Sequence, residues 1–208
     1  MEKRARGRPA QDRAALRAHL VGVATEVLLD GGFARFSIDA VAKAGGFAKK
    51  TIYSLVSNRE ELVGEIVASW TESYSAQQLQ GEPRVTAIPS LLTRIHRVAL
   101  SRDAVSLFRM IVSDPEARAQ LGHVYGENGI EQGVRSLVVC LQAECKLEPA
   151  KLETVARAML AWLIGEPLRR AALGLEQPYK FSDKEVDRRV KECLELFAPI
   201  MAELAREI

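Results

Sequence analysis

Residues 36–60 read FSIDAVAKAGGFAKKTIYSLVSNRE, from Phe36 to Glu60, and this stretch decides the fold. Ser37 is a good helix N-cap, and Asp39 puts an anion in the first turn, where the helix dipole favours it. Ile38, Val41 and Ala42 share one face, and Gly45-Gly46 stops the helix, since glycine accepts the left-handed conformation that follows a helix end. A second short helix is predicted from Lys49 to about Val56. Phe47, Ile52 and Leu55 or Val56 turn inward, which leaves Lys49, Lys50, Thr51, Tyr53 and Ser54 facing out. Two short helices joined by a glycine turn within a basic region form the helix-turn-helix pattern. The second helix of such a pair must stand clear of the core to enter a groove about 12 Å wide, while the first braces it across the backbone. Adjacent lysines place charge where phosphates and guanine edges lie, and the hydroxyls of Thr51 and Tyr53 suit phosphate oxygens. On pattern alone, an ordinary solvated helix carrying two lysines stays open.

Upstream, a helix is expected from about Asp12 to Asp30, burying Leu16, Leu20, Val23, Val27 and Leu28. Gly31-Gly32 ends it, and Phe33 and Phe36 dock the connection. Residues 1–10 read as a basic, flexible arm carrying Arg6-Gly7-Arg8-Pro9. Arginines on an extended chain fit a narrow A·T-rich minor groove; a terminus making only screened phosphate contact is the alternative. Charge follows the same division. Residues 1–60 hold 11 Lys/Arg against 6 Asp/Glu, and the rest hold 18 against 21, so a basic segment precedes a mildly acidic one. That asymmetry points the first segment at a polyanion.

Downstream, Ser57-Asn58-Arg59-Glu60 has the capping-box spacing and opens a long helix towards Gln80. Gly81, Pro83 and Pro89 mark a linker. Helices follow near Pro89–Ser101, Asp103–Ser113 and Pro115–Leu121, the last with Asp114 as cap and a first-turn proline. Another spans about Ile130–Lys146, its start weakened by Gly126 and Gly129. The next runs from Pro149 to about Leu173 with a bend at Gly165/Pro167. The last opens on a second box, Ser182-Asp183-Lys184-Glu185, and runs to about Arg206. The fold class is therefore all-α, with about nine helices and no strand.

At 208 residues, 48% of them hydrophobic and 27% charged, the chain has enough apolar side chains for a packed core and too few charges for wholesale disorder. No apolar run has a membrane-spanning length, and the basic N-terminus lacks the apolar stretch of a signal peptide. Three cysteines (Cys140, Cys145 and Cys193) form no CxxC pair, so neither a disulfide framework nor a zinc site is expected and a cytoplasmic location fits. His19, His96 and His123 are isolated, and HExxH, Walker and GxSxG patterns are missing. The expectation is a protein that is not an enzyme and has no metal and no cofactor.

Phe36 to Glu60 resembles the signature of the TetR/AcrR family of regulators, roughly T-S-x-x-x-I-A-x-x-A-G-V-S-K-G-T-L-Y-x-Y-F-x-S-K-E, without a gap. Ser37, Val41, Ala42, Gly46, Lys49, Thr51, Ile52, Tyr53, Arg59 and Glu60 are identical or conservative matches. The Gly-Gly-Phe after the first helix and the Gly7-Arg8-Pro9 arm also fit. Phe36 replaces the usual Thr, Ala48 the usual capping Ser, Lys50 a frequent Gly, and Ser54-Leu55-Val56 an aromatic-rich end. The resemblance implies a flexible arm at 1–10, a three-helix DNA-binding head at 11–56 and a helical ligand-binding and dimerisation domain at 57–208. Lys49, Lys50, Thr51, Tyr53 and Ser54 would face DNA, with Ser37, Arg59, Arg6 and Arg8 on phosphates or in the minor groove.

In the last helix Val186, Val190, Cys193, Phe197, Ile200 and Leu204 form an apolar stripe, and Val155, Met159 and Trp162 continue the rhythm in the helix before it. Such stripes serve an intramolecular core or a seam to a partner. The resemblance implies the seam, since the family commonly pairs these helices in a homodimer. Val155, Met159, Trp162, Val186, Val190, Cys193, Phe197 and Ile200 are then the expected interface. Trp70, Tyr74, His96, Phe108, Met110, Tyr125 and Trp162 are candidate walls of a cavity, or simply core. The functional expectation is a homodimeric repressor that binds a palindromic double-stranded DNA operator and is released by a small, hydrophobic effector. A DNA binder controlled by a protein partner, an all-helical enzyme with an unused head and a helical interaction scaffold are the alternatives.

Overall fold

The computed structural model of the protein describes residues 10–74, 84–144 and 148–204. Eleven α-helical segments follow one another: α1 (Ala10–Gly31), α2 (Ile38–Gly45), α3 (Lys49–Tyr53), α4 (Arg59–Thr71), α5 (Arg84–Ala99), α6 (Arg102–Ser113), α7 (Pro115–Tyr125), α8 (Gln132–Glu144), α9 (Pro149–Leu160), α10 (Glu166–Ala172) and α11 (Asp183–Leu204). A π-helical segment, Gly126–Glu131, carries α7 into α8, and a second, Ala161–Gly165, carries α9 into α10. The eleven segments thus make nine continuous helical runs among the described residues, where no strand occurs. None of these helices is long and apolar enough to cross a membrane.

The chain divides into two compact units between Ile66 and Val67. The division falls ten residues after the expected one at Val56. The opening turns of α4 go with the first unit, tied to α1 by Arg17, whose Nε donates to Glu65 at 2.7 Å. In that unit α1 buries Leu20, Val21, Ala24 and Leu28, whereas Leu16, Val23 and Val27 are only half-buried. The buried stripe is therefore rotated from the expected one. Gly32 takes a φ of 72°, and Phe33 and Phe36 behind it are fully buried, which fixes the exit from α1. The cap of α4 lies one residue later than its spacing predicted. Asn58 Oδ1 accepts from the Glu61 N–H at 2.7 Å, and Glu61 reaches back to the Ser57 N–H at 2.6 Å. The bonds from Ser57 hold the Glu61 carboxyl below its usual range.

The second unit is built on α5, α8, α9 and α11. Ile88, Leu91, Leu92 and Ile95 of α5 meet Val134, Leu137 and Leu141 of α8 and Leu152, Val155, Ala156 and Met159 of α9 in one core. α11 closes that core with Val186, Val190, Cys193 and Phe197. The stripe expected at an interface contributes to this core. Val155, Met159, Val186, Val190, Cys193 and Phe197 are buried by their own chain, because α11 lays its stripe on α5 and α9. Of the expected set, only Trp162 is half-buried and only Ile200 is exposed, at 43%.

Two boundaries differ from expectation. α5 starts at Arg84 and runs through Pro89, so Pro89 is not part of a linker; burial of its apolar face outweighs the one hydrogen bond that proline forfeits. α4 ends at Thr71 and passes into a 3-10 turn, Glu72–Tyr74, short of Gln80. Gly81, Pro83, Cys145 and the arm residues Arg6 and Arg8 lie outside the described residues. The remaining caps follow the sequence. Asp114 Oδ1 accepts from Glu116 and Ala117 at 2.8 and 3.1 Å, and Ser182 and Glu185 exchange backbone N–H bonds at 2.8 and 3.4 Å.

Candidate nucleic-acid interface and apolar cavity

In the first unit α2 and α3 are set by small local devices. Ser37 Oγ accepts from the Ala40 N–H at 3.1 Å, and Gly46 takes the left-handed conformation at φ 66° after α2. Gly45 beside it leaves room for the Phe47 ring, since a Cβ there would fall 2.2 Å from Cε2 and displace it. Phe47 in turn packs its ring 5.0 Å from His19 of α1. α3 then hangs on Ile52, fully buried, and on Val56 just beyond it.

This arrangement leaves Lys49, Lys50, Tyr53 and Ser54 exposed and Thr51 half-buried, as an outward cationic face requires. Lys49 Nζ lies 2.7 Å from Asp39 of α2, and this partner holds the ammonium above the ordinary lysine value. Ser54 is secured at both ends: its hydroxyl donates to the Thr51 carbonyl at 2.7 Å, and its own carbonyl accepts from Arg13 at 3.1 Å. Arg59 is placed differently from expectation. Its guanidinium stacks 4.1 Å from the Phe33 ring centroid and Nη1 donates to the Phe36 carbonyl at 3.2 Å, so it braces the turn after α1. Ser37 likewise spends its hydroxyl on a cap. Arg13 was not anticipated, because nothing in its spacing marks a contact forty-one residues away.

In the second unit the helices line a partly open cavity of about 380 Å³. Trp70, Tyr74, Phe108 and Tyr125 of the expected set line it, with Phe108 and Tyr125 rings 6.2 Å apart. His96, Met110 and Trp162 do not. On α5 it is Ile95, Val98 and Ala99 that face the space, while His96 turns to Phe181, rings stacked at 6.4 Å, and the Trp162 ring carries the Arg189 guanidinium 5.3 Å from its centroid. Burial, with help from Arg189 and Arg97, pushes the His96 imidazole down to about 4.

Both π-helical segments border the cavity, contributing Gly129 and Ile130 from one and Ala161, Ile164 and Gly165 from the other. A π turn adds a residue to the helical repeat and re-aims the side chains beyond it, a device frequent at functional sites. Arg157, one turn before the second π segment, also lines the cavity. Nothing in the sequence marks it, because an exposed arginine on a helix has the pattern of an ordinary surface residue. Burial pushes the Tyr125 hydroxyl up to about 12 and raises that of Tyr74 above its usual value. Both phenols are therefore neutral donors at physiological pH.

Residues 86–200, more than half of the chain, match the family described as AefR-like transcriptional repressor, C-terminal domain. A crystal structure from Mesorhizobium loti MAFF303099, classed among TetR-family transcriptional regulators, is similar at 20% identity and a TM-score of 0.68, covering 96% of this chain and 98% of that one. A TetR transcriptional regulator from Agrobacterium tumefaciens is similar at 18% identity and a TM-score of 0.69, covering 88% and 93%. The flavonoid-responsive regulator FrrA is similar at 24% identity and a TM-score of 0.61, covering 90% and 97%. No functionally curated protein matches the sequence.

Proposed function

The chain belongs to the TetR family of transcriptional regulators, with a C-terminal domain of the AefR-like repressor type, and from that premise we propose that it is a homodimeric repressor released from a palindromic operator by a small apolar effector. The observation that carries the reading is the outward face of α3, where Lys49, Lys50, Tyr53 and Ser54 are exposed on a helix whose buried anchors are Ile52 and Val56. A helix held in this way has the freedom a major groove requires. Arg6 and Arg8 add basic charge in the sequence before α1, and Thr51 supplies a further hydroxyl for a phosphate.

A single head of this size contacts few base edges. Two heads on one protomer pair, one helical turn of DNA apart, read a palindrome. The apolar cavity favours control by a small molecule over control by a protein partner. Its ligand acts by preferring the protein state that binds DNA poorly; a difference of about 1.4 kcal/mol changes occupancy tenfold. Repression places the protein on chromosomal DNA and hence in the cytoplasm.

The test is footprinting of the purified protein on the DNA flanking its own coding region, repeated with an effector found by thermal-shift screening, since a ligand of the folded state raises the melting temperature. A protected palindrome that the effector clears supports the reading. Equal retention of genomic and scrambled fragments at physiological salt overturns it.

A further inference from the structure

Among the described residues that line the cavity, Arg157 alone is charged, and it is already engaged on every side. Its Nη1 and Nη2 donate to the two carboxylate oxygens of Glu131 at 2.8 and 2.7 Å. Nε and Nη2 donate to Glu153 Oε1 at 3.0 and 2.7 Å. Every guanidinium nitrogen is thus held by a carboxylate, and one cation stands against two anions. Arg135 lowers Glu131 further from across the π segment but is itself 3.9 Å from Glu127. The group at this edge therefore holds two guanidiniums and three carboxylates. A ligand anion entering here finds no unpaired cation and a small excess of negative charge.

The remaining polar atoms point the same way. The Tyr74 and Tyr125 hydroxyls make no hydrogen bond to another described residue, and Thr71 spends its hydroxyl on the Ala68 carbonyl at 3.1 Å. Two neutral phenols in an apolar space lack acceptors, and a carbonyl, ether or amide oxygen supplies one without bringing a charge that must be desolvated. A carboxylate would gain the same two donors but lose its hydration without a counter-ion, which low-dielectric sites penalise heavily.

From this geometry we infer that the cavity selects an uncharged, largely apolar molecule bearing a hydrogen-bond acceptor, and excludes carboxylates of the same shape. The inference rests on the cavity being the effector site and adds the charge class of what enters it.

Matched pairs test it: biphenyl-4-carboxamide against biphenyl-4-carboxylate, and decanamide against decanoate, titrated into the full-length protein at pH 7.5. Trp70 lines the cavity and Trp162 does not, so tryptophan fluorescence in a Trp162→Phe background reports binding, with the melting temperature as a second readout. Each amide is expected to bind at least about tenfold more tightly than its carboxylate. In the Glu131→Gln/Glu153→Gln variant, whose folding circular dichroism verifies, Arg157 is released and the ratio shrinks or reverses. Carboxylates binding the unmodified protein as well as amides would overturn the inference while leaving the cavity as a ligand site. Binding of neither member of either pair would count against the cavity reading itself.

Discussion

Ala48 occupies the N-cap of α3 with the extended backbone that a cap requires, φ −70° and ψ 136°, but has no side chain to receive the helix's first N–H groups. Ala48→Ser should therefore stabilise the protein by about 0.5–1 kcal/mol in urea denaturation at unchanged m-value. Lys49 and Lys50 are neighbours but not equivalents. Lys49 is paired with Asp39, and both are exposed, so the pair adds little stability while weakening the field that Lys49 offers a phosphate. Lys50→Ala should weaken operator binding more than Lys49→Ala does, and each lost phosphate contact should reduce the salt-dependence slope by about one; equal losses would mean that Asp39 yields Lys49 to DNA at no cost. The missing cap at Ala48 and the outward lysines are legible from the sequence, because both follow from spacing on one short helix. The roles of Arg59 and Arg157 are not. Whether a guanidinium meets a phosphate, a phenyl ring or a glutamate depends on contacts such as Arg59 to Phe36 and Arg157 to Glu131, which are set by folding across twenty or more residues.

At the scale of helices, periodicity located nearly every element and missed where the repeat itself changed. The π segments Gly126–Glu131 and Ala161–Gly165 shift the register of α8 and α10, so a 3.6-residue reading broke one continuous run at Gly126 and Gly129 and described the other as a bend. The same limit explains the cavity walls: aromatic size identified Trp70, Tyr74, Phe108 and Tyr125, whereas size alone could not show that His96 turns towards α11. That turn has a measurable consequence. His96 is fully buried against Phe181, its Nε2 lacks a hydrogen-bond partner among the described residues, and Arg97 next to it pairs with Asp183 at the start of α11. Its folded-state value of about 4 lies below the unfolded one, so the unfolded chain takes up the proton first. His96 therefore costs no stability above about pH 6.5, and stability falls as the pH drops from there towards about 4. Carboxylates titrate mainly below about pH 4.5, so the loss between pH 6.5 and 5, roughly 1–2 kcal/mol, isolates His96. His96→Leu should abolish that part of the pH dependence in denaturant melts. A variant with the wild-type slope would show that solvent reaches the imidazole in the folded protein.

For the whole molecule, the decisive quantity is the number of chains that meet DNA together. Val190, Cys193 and Phe197 are buried within one chain, so we place the apolar surface for pairing on the residues that α11 leaves outside. Leu196 and Ile200 are 51% and 43% exposed and stand four residues apart, on one face of that helix. Placing charge at both positions separates the two uses of the helix. In Leu196→Glu/Ile200→Glu the single-chain core is untouched, and exposed substitutions of this kind change fold stability by about 0.5 kcal/mol or less each. Helicity should therefore persist while sedimentation gives the mass of one chain. Val190→Glu, by contrast, buries an unpaired charge and should lose cooperative unfolding altogether. Operator affinity follows from the same separation. A monomer retains one head and its phosphate contacts but forfeits the effective concentration that ties the second head to the second half-site, a factor of about 10² to 10⁴. The double variant should thus bind the operator that much more weakly, with the same affinity for an isolated half-site as the unmodified protein. If it sediments as a dimer and protects the whole palindrome, pairing runs through another surface, and the exposed face of α11 serves something other than a second copy of this chain.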